Sequence, residues 1–179
     1  MPTSQKKYKL RPEDEFTSRF YGLLGRLVHA HAQLDFNVGL QLNWMGPYLG
    51  HDVTGLLQAT TPFARRLTKL EELTGELFGN AEPAAALEMK AWFEEVGRLK
   101  QVRNDYVHGR WGVPRSAFEN PPRIEFVPLH WNMDPEAAPA PIVMTIDELE
   151  GEVAKLQHLA GEYFRLTRKY ERWAVSRAA

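Results

Sequence analysis

A short segment in the second half of the chain gathers side chains that suit phosphate chemistry. Arg103, Asn104 and His108 occur within six consecutive positions. An arginine offers a planar fork of donors to phosphate oxygens, and a histidine can move protons near neutral pH. On a helix, Asn104 and His108 would share one face, with Arg103 about 100° round the axis from Asn104. The spacing therefore indicates a site for phosphate chemistry.

The same residues also have a purely structural interpretation. Cations near a helix C-terminus interact favourably with the helix dipole, and His108 directly precedes Gly109, a typical helix-ending residue. From average composition, an Arg and a His at this spacing arise by chance in roughly one in five chains of this length. Requiring Asn after the Arg reduces that to about one in a hundred, so the specificity of the motif depends on Asn104.

Proline placement divides the chain into the elements that must position this segment. Seven of the twelve prolines lie between Pro114 and Pro141, whereas Pro12, Pro62 and Pro83 precede helical apolar patterns. Proline is tolerated in the first turn of a helix and disfavoured in its interior. This indicates helices that begin near Pro12, Pro62 and Pro83 and a non-helical stretch over residues 114–141.

Apolar residues at three- and four-residue steps predict four long helices. A turn or short helix over residues 52–58 is expected between the first two. The first predicted helix runs from Pro12 to about Met45, where Gly46-Pro47 ends it. The second runs from Thr61-Pro62, with Thr61 as N-cap, to Gly79-Asn80, and the third runs from Pro83 to about His108. The last helix begins at a capping box formed by Thr145 and by Glu148, three residues further on.

Between the third and last helices the apolar period changes. Residues 123–127 alternate and residues 141–144 form a short apolar run, which predicts a small β-hairpin or flap within a Pro-rich insertion over 111–144. The fold class is therefore all-α, a bundle of four to five helices with this insertion before the last helix. We expect one domain over residues 12–179 and a flexible basic arm over residues 1–11.

Composition excludes several classes of protein. The 179 residues include no cysteine, which rules out disulfides, thiol catalysis and thiolate metal sites. With a formal net charge of −1, bulk charge does not hold a polyanion, so any nucleic-acid role depends on a local site. No apolar run approaches a membrane span, and the start of the chain has no secretory apolar region. We expect a cytoplasmic protein with no membrane contact.

The sequence Arg103-Asn104-x-x-x-His108 resembles the R-N-x-x-x-H form of the signature of the HEPN superfamily, the higher-eukaryote and prokaryote nucleotide-binding domains. Members are compact bundles of four or five helices, with the motif on a late helix before a final long one. Many are metal-independent ribonucleases that act as toxins, host-defence effectors or RNA-processing subunits. They usually dimerise so that two motifs face one cleft. The Pro-rich insertion directly after the motif departs from the plainest members.

The resemblance implies a role for each motif residue. Arg103 would hold the scissile phosphate, His108 would act as general base on the 2′-hydroxyl or general acid on the leaving 5′-oxygen, and Asn104 would orient the phosphate or the imidazole. Asp105 would have a supporting role. The reaction would leave 2′,3′-cyclic phosphate ends and need no metal or other cofactor. The implied partners are RNA, a second copy in a homodimer, and an antitoxin or regulatory protein.

Residues around the motif are further candidates for contacts with RNA. Arg98, Lys100 and Arg110 would extend its positive charge. Trp111 could stack on a base, although packing of the flap on the bundle is the simpler interpretation. His31 falls on the apolar stripe of the first helix, which favours a hydrogen-bonded core or interface histidine that could still line the same cleft.

Two other functions stay open at the level of the sequence. A bundle of the same fold without catalysis would serve as a binding or regulatory module, which a flap burying Arg103 and His108 would favour. A ligand-sensing helical dimer would need an enclosed apolar pocket under the 111–144 flap, remote from the motif. No metal site is expected, because His31 and Asp35, four residues apart, fall short of a zinc ligand set.

Overall fold

Four long helices form a bundle, and a small antiparallel sheet precedes the last of them. The computed structural model describes residues 12–79, 83–111, 123–127 and 140–177. The elements are α1 (Pro12–Tyr48), a 3₁₀ turn (Thr54–Leu56), α2 (Phe63–Phe78), α3 (Pro83–His108), β1 (Arg110–Trp111), β2 (Arg123–Val127), β3 (Ile142–Thr145) and α4 (Ile146–Arg177). The predicted fold class is confirmed. The basic arm over residues 1–11 and parts of the insertion, 112–122 and 128–139, lie outside the described residues.

Side-chain contacts fix the direction of α2 relative to α1. Asp35 of α1 pairs with Arg66 in the first turn of α2, and His51, just after α1, contacts Glu76 near the end of α2 at 2.8 Å. Residue numbers rise together along both helices, so the helices are parallel. Residues 49–62 therefore run back along α1 before α2 begins.

The direction of α3 is reversed relative to α4. Trp92 donates a hydrogen bond from Nε1 to the carbonyl oxygen of Leu159 at 3.1 Å. Arg98, further along α3, pairs with Glu152, which comes earlier on α4. Apolar residues of all four helices fill the space between them and form one continuous core.

Helix α1 extends past its predicted end at Gly46-Pro47 and reaches Tyr48. It ends in a Schellman motif, in which the N–H of His51 donates to the carbonyl oxygen of Gly46 at 2.8 Å and the N–H of Gly50 donates to that of Pro47 at 3.1 Å. Gly50 has φ of +79°, the left-handed conformation that favours glycine. The predicted end was wrong because a proline in the last turn removes only its own N–H, and Gly50 supplies the actual stop.

Gly46 has a packing role rather than a helix-ending one. A Cβ atom at this position would lie 2.6 Å from Cγ1 of Val53. That distance is shorter than two carbon atoms approach without strain, so a larger residue here would force Val53 out of its position against α1.

Helix α2 begins at Phe63, and Thr61 is not its N-cap. The capping position is Pro62, which makes no side-chain hydrogen bond to the helix. The hydroxyl of Thr61 instead donates to the carbonyl oxygen of Gly55 at 3.1 Å. The predicted cap was wrong because the preceding turn supplies a partner for this hydroxyl, and the local sequence spacing does not reveal that contact.

The end of α3 and the sheet agree with the prediction more closely. Helix α3 has the predicted bounds, and the strands lie antiparallel in the order β1-β2-β3, with β1 an addition that the sequence pattern did not indicate. The hydroxyl of Tyr106 donates to Sδ of Met144 at 2.9 Å, which attaches the end of α3 to β3. The sheet therefore joins the motif-bearing end of α3 to the start of α4.

The start of α4 has the predicted capping box. The N–H of Glu148 donates to Oγ1 of Thr145 at 3.1 Å, and the N–H of Thr145 donates to Oε2 of Glu148 at 2.7 Å. Two backbone donors that the helix leaves unpaired are thereby satisfied.

We expect Thr145→Ala to lower the free energy of unfolding by about 1 kcal/mol, because one of these donors loses its acceptor. Urea denaturation followed by circular dichroism measures the change. Thr145→Ser keeps the hydroxyl and should stay close to the wild type. Equal stabilities of Thr145→Ala and Thr145→Ser would contradict the capping role.

Candidate functional site

Arg103 and Asn104 form a hydrogen-bonded pair on the C-terminal half of α3. Nη1 of the half-buried Arg103 donates to Oδ1 of Asn104 at 3.0 Å. Nε of Arg103 is buried and has no hydrogen-bond acceptor within the described part of the chain. A buried donor without an acceptor is costly, but an enclosed atom is out of reach of a ligand, so an anion would bind through the exposed part of this half-buried side chain. The pair is therefore a candidate anion site.

His31 of α1 lies close enough to this guanidinium for the two groups to interact electrostatically. Its ring packs edge-on against the ring of Phe63, with centroids 4.8 Å apart. Burial lowers the pKa of His31, as do the positive charges of Arg103 and Lys100, while Asp35 opposes them. The imidazole is therefore neutral near pH 7 and can donate or accept a hydrogen bond.

An ion pair attaches the first turn of α2 to α1 beside His31. Nε of Arg66 donates to Oδ1 of Asp35 at 2.9 Å, and Nη2 donates to Oδ2 at 2.6 Å. This two-point geometry occupies both carboxylate oxygens. Arg66 was missed at the level of the sequence because no local pattern links residues on two separate helices.

His108 and Asp105 continue the site towards the end of α3. His108 is the last residue of the helix and its side chain is exposed. On an ideal helix it lies about 140° round the axis from Arg103 and about 7.5 Å along it, so the two side chains flank Asn104. Asp105 accepts a hydrogen bond at 2.6 Å from Nε2 of Gln101 on the same helix. Asp105 thus has a local partner, whereas His108 is open to solvent.

The remaining candidates are less closely associated with this group. Arg98 donates to Glu95 at 2.7 Å and to Glu152 at 2.5 Å, and both carboxylates raise its pKa. Its predicted contact with RNA stays a prediction. Arg110 and Trp111 form β1 and pair with β2, but their side chains lie outside the described residues.

The site is interpreted from its own residues, because no protein-family model, curated protein or solved structure matches this chain. Within the described ranges, no three His, Asp or Glu side chains are grouped so that they could hold a metal ion. None of the helices in the same ranges is long and apolar enough to cross a membrane. The chemically notable feature is the partly buried guanidinium of Arg103, with the neutral His31 near it and the exposed His108 further along α3.

The lowered pKa of His31 makes folding sensitive to acid. The unfolded chain, in which a histidine has its ordinary pKa of 6.5, takes up the proton more readily than the folded chain. The free energy of unfolding should therefore fall as the pH falls through that value. We expect His31→Phe to lose this part of the dependence. Its stability should differ less between about pH 7.5 and about pH 5 than that of the wild type.

Urea denaturation at the two pH values measures the difference. His29→Phe, on the exposed side of the same turn of α1, is the matched control and should keep the dependence of the wild type. If His31→Phe and His29→Phe showed the same pH dependence, His31 would not be the group responsible.

Proposed function

We propose that this protein is a metal-independent RNA endonuclease of the HEPN type that leaves 2′,3′-cyclic phosphate ends and acts as a toxin or defence effector. The observation that carries the proposal is the hydrogen bond from Arg103 to Asn104, which holds a half-buried guanidinium in place next to the other motif residues. His108, in the R-N-x-x-x-H spacing, is exposed at the edge of this group. The proposed anion-binding group and the proposed proton-transfer group thus lie at the same end of α3, with Asn104 between them in sequence.

Arg103 binds the scissile phosphate in the proposed mechanism. The ribose 2′-oxygen attacks phosphorus, and the bond from phosphorus to the leaving 5′-oxygen breaks. Negative charge grows on the equatorial oxygens as the pentacoordinate transition state forms, so their hydrogen bonds to Arg103 strengthen at that point. Asn104 keeps the guanidinium oriented through its side-chain oxygen.

His108 moves the protons of the reaction. As a general base it takes the proton of the 2′-hydroxyl, and as a general acid it gives a proton to the 5′-oxygen. The side chain of His108 is exposed, as a group that must reach the substrate has to be. Exposure favours the catalytic proposal over a silent binding module, which a buried motif would have favoured.

Local charge supplies the attraction for RNA. Lys100 and Arg103 are near enough to His31 to lower its pKa, so two cations converge on this part of the bundle. Because the imidazole of His31 stays neutral, it adds no charge to the site and can hydrogen-bond to the substrate. In a chain with a net charge of −1, this cluster would be the local feature that binds a phosphate backbone.

The cellular setting follows from the same proposal. The protein acts in the cytoplasm on RNA, as a homodimer, under the control of an antitoxin or another regulatory protein. The principal alternative is a bundle of the same fold that binds its partner without cleaving RNA.

We expect the purified protein to cleave mixed fluorescent RNAs in the presence of EDTA. Arg103→Ala and His108→Ala should each lower the rate by at least about 10²-fold, because one removes the phosphate ligand and the other the proton-transfer group. His158→Ala, which removes an exposed histidine of α4, is the matched control and should cleave at the wild-type rate. Thermal melts of all variants establish that each is folded.

Two results would contradict the proposal in different ways. An inert wild type on every RNA tested would contradict catalysis and favour the binding module. If His108→Ala cleaved RNA at the rate of His158→Ala, the nuclease activity would stand but His108 would have no catalytic role in it.

A further inference from the structure

The proposed cleavage moves two protons, at oxygens that lie on opposite sides of phosphorus. In an in-line displacement, the attacking 2′-oxygen and the leaving 5′-oxygen occupy opposite ends of the transition state. One imidazole cannot contact both oxygens at the same time, so concerted proton transfer needs an acceptor at the first and a donor at the second. His108 supplies one of these groups, and a second side chain has to supply the other.

The carboxylates near the motif are poorly placed for the second role. Arg66 binds both carboxylate oxygens of Asp35. Asp105 accepts a hydrogen bond from Gln101 and, on an ideal helix, lies about 160° round the axis from Arg103. Asp105 therefore points away from the guanidinium that is proposed to bind the phosphate.

His31 faces this guanidinium from a different helix, α1. Arg103 and Lys100 of α3 both interact electrostatically with its ring. The ring packs edge-on against Phe63 in the first turn of α2, with centroids 4.8 Å apart, and this contact restricts its orientation. The side chain is half-buried, so part of it stays open to a ligand. The position suits a group that acts on a substrate held by Arg103.

The charges around His31 keep its ring unprotonated. Arg103 and Lys100 face it with positive charge from α3, and Asp35 faces it with negative charge from its own helix. On α2, Arg66 pairs with Asp35. Burial and the two cations of α3 lower the pKa of His31, and Asp35 offsets part of this effect. A ring that carries no charge near pH 7 has a nitrogen free to accept a proton.

We propose that His31 is the general base that takes the proton of the 2′-hydroxyl, and that His108 of the same chain is the general acid. The inference rests on the RNA cleavage proposed above, and the R-N-x-x-x-H motif does not include His31. The bond from the 2′-oxygen to phosphorus forms while the bond from phosphorus to the 5′-oxygen breaks. The proton of the 2′-hydroxyl goes to His31, and the 5′-oxygen receives a proton from His108. Exchange with water then restores both histidines.

The transition state would raise the proton affinity of His31 at the moment when it acts. Without a substrate, the positive charges of Arg103 and Lys100 oppose protonation of the ring. A phosphate bound beside these groups brings negative charge, and more accumulates on its equatorial oxygens during attack. The reacting group itself therefore stabilises the new imidazolium. His31 is free of a proton before the substrate binds and gains affinity for one during the reaction.

The first test separates the base from the acid by changing the leaving group. The substrate is an RNA in which sulfur replaces the 5′-oxygen of one linkage that the wild type cleaves. A thiolate leaves without being protonated, so the general acid is no longer needed. His108→Ala should cleave this RNA within about tenfold of the wild-type rate. His31→Gln and His31→Asn should stay at least about 10²-fold below the wild type on this RNA and on ordinary RNA.

His29→Gln is the matched control, because His29 lies on the exposed side of the same turn of α1. It should cleave both RNAs at the wild-type rate. Thermal melts establish that each variant is folded, and the two substitutions of His31 differ in side-chain length, so a packing defect in one does not decide the result.

The second test is the pH dependence of kcat/KM, which reports the free enzyme. The wild-type value should fall in acid as His31 takes up a proton, and the fall should lie below the ordinary histidine pKa of 6.5. His31→Gln should lack this fall, whereas His29→Gln should keep it. In nuclear magnetic resonance titrations of the wild type, inorganic phosphate should raise the pKa of His31 and leave that of His29 unchanged.

Each contrary result has a distinct meaning. A wild type that cleaves no RNA would contradict the proposed function and this inference with it. A wild type that cleaves RNA while His31→Gln and His31→Asn match its rate would overturn only the role of His31. If the sulfur-substituted RNA restored the rate of His31→Gln and not that of His108→Ala, the roles proposed for the two histidines would be wrong. A pKa of His31 that phosphate leaves unchanged would contradict binding of the anion beside it.

Discussion

The two-point ion pair between Asp35 and Arg66 fixes where along α1 the helix α2 begins, and the site depends on that position. Arg66 is in the first turn of α2, so α2 starts near the middle of α1 and runs parallel to it. Helix α3 is longer than α2 by ten residues, about 15 Å. It runs antiparallel to α1 and α2, because it is antiparallel to α4, and α4 is parallel to α1, as the contacts of Arg19 with Asp147 and of Asn37 with Ala160 indicate. The end of α3 therefore extends past the start of α2, and Arg103 interacts with His31 of α1.

The same ion pair supplies the cation that the carboxylate of Asp35 needs. A partly buried carboxylate must find a cation or be neutralised, because desolvation without a partner is costly. Arg66 binds both carboxylate oxygens of Asp35, and Arg103 donates to the neutral amide of Asn104. His31 stays uncharged between them, with its pKa lowered by burial and by the nearby cations.

Local sequence signals predicted the parts of the fold that local contacts determine. Pro12 and Pro83 begin helices as expected, and Thr145 with Glu148 forms the capping box, because each of these features involves neighbours in sequence. Gly46 and Thr61 were misinterpreted because the 49–62 connection decides their roles, through contacts that appear only when the chain folds back on α1.

The residues of the candidate site likewise include one contact between neighbours in sequence and others that depend on the packing of separate helices. The contact between Arg103 and Asn104 joins adjacent residues, but the resemblance had implied that Asn104 orients the phosphate or the imidazole rather than the guanidinium. His31 was expected on the apolar stripe of α1, but its nearness to Arg103 required the arrangement of three helices. Arg66 had no signal in the sequence, because its role depends on the parallel course of α1 and α2.

Asp35 also connects the site to the outer face of α1. It is the only Asp, Glu, Lys or Arg residue between Leu27 and Tyr48, and on an ideal helix its side chain lies between the core-facing and outer sides. By binding Asp35 from α2, Arg66 draws this charge away from the outer side of the helix. The contact that positions α2 therefore also pairs the one Asp, Glu, Lys or Arg residue of this stretch of α1. A substitution at either residue would change both the charge beside His31 and the charge on the surface of α1.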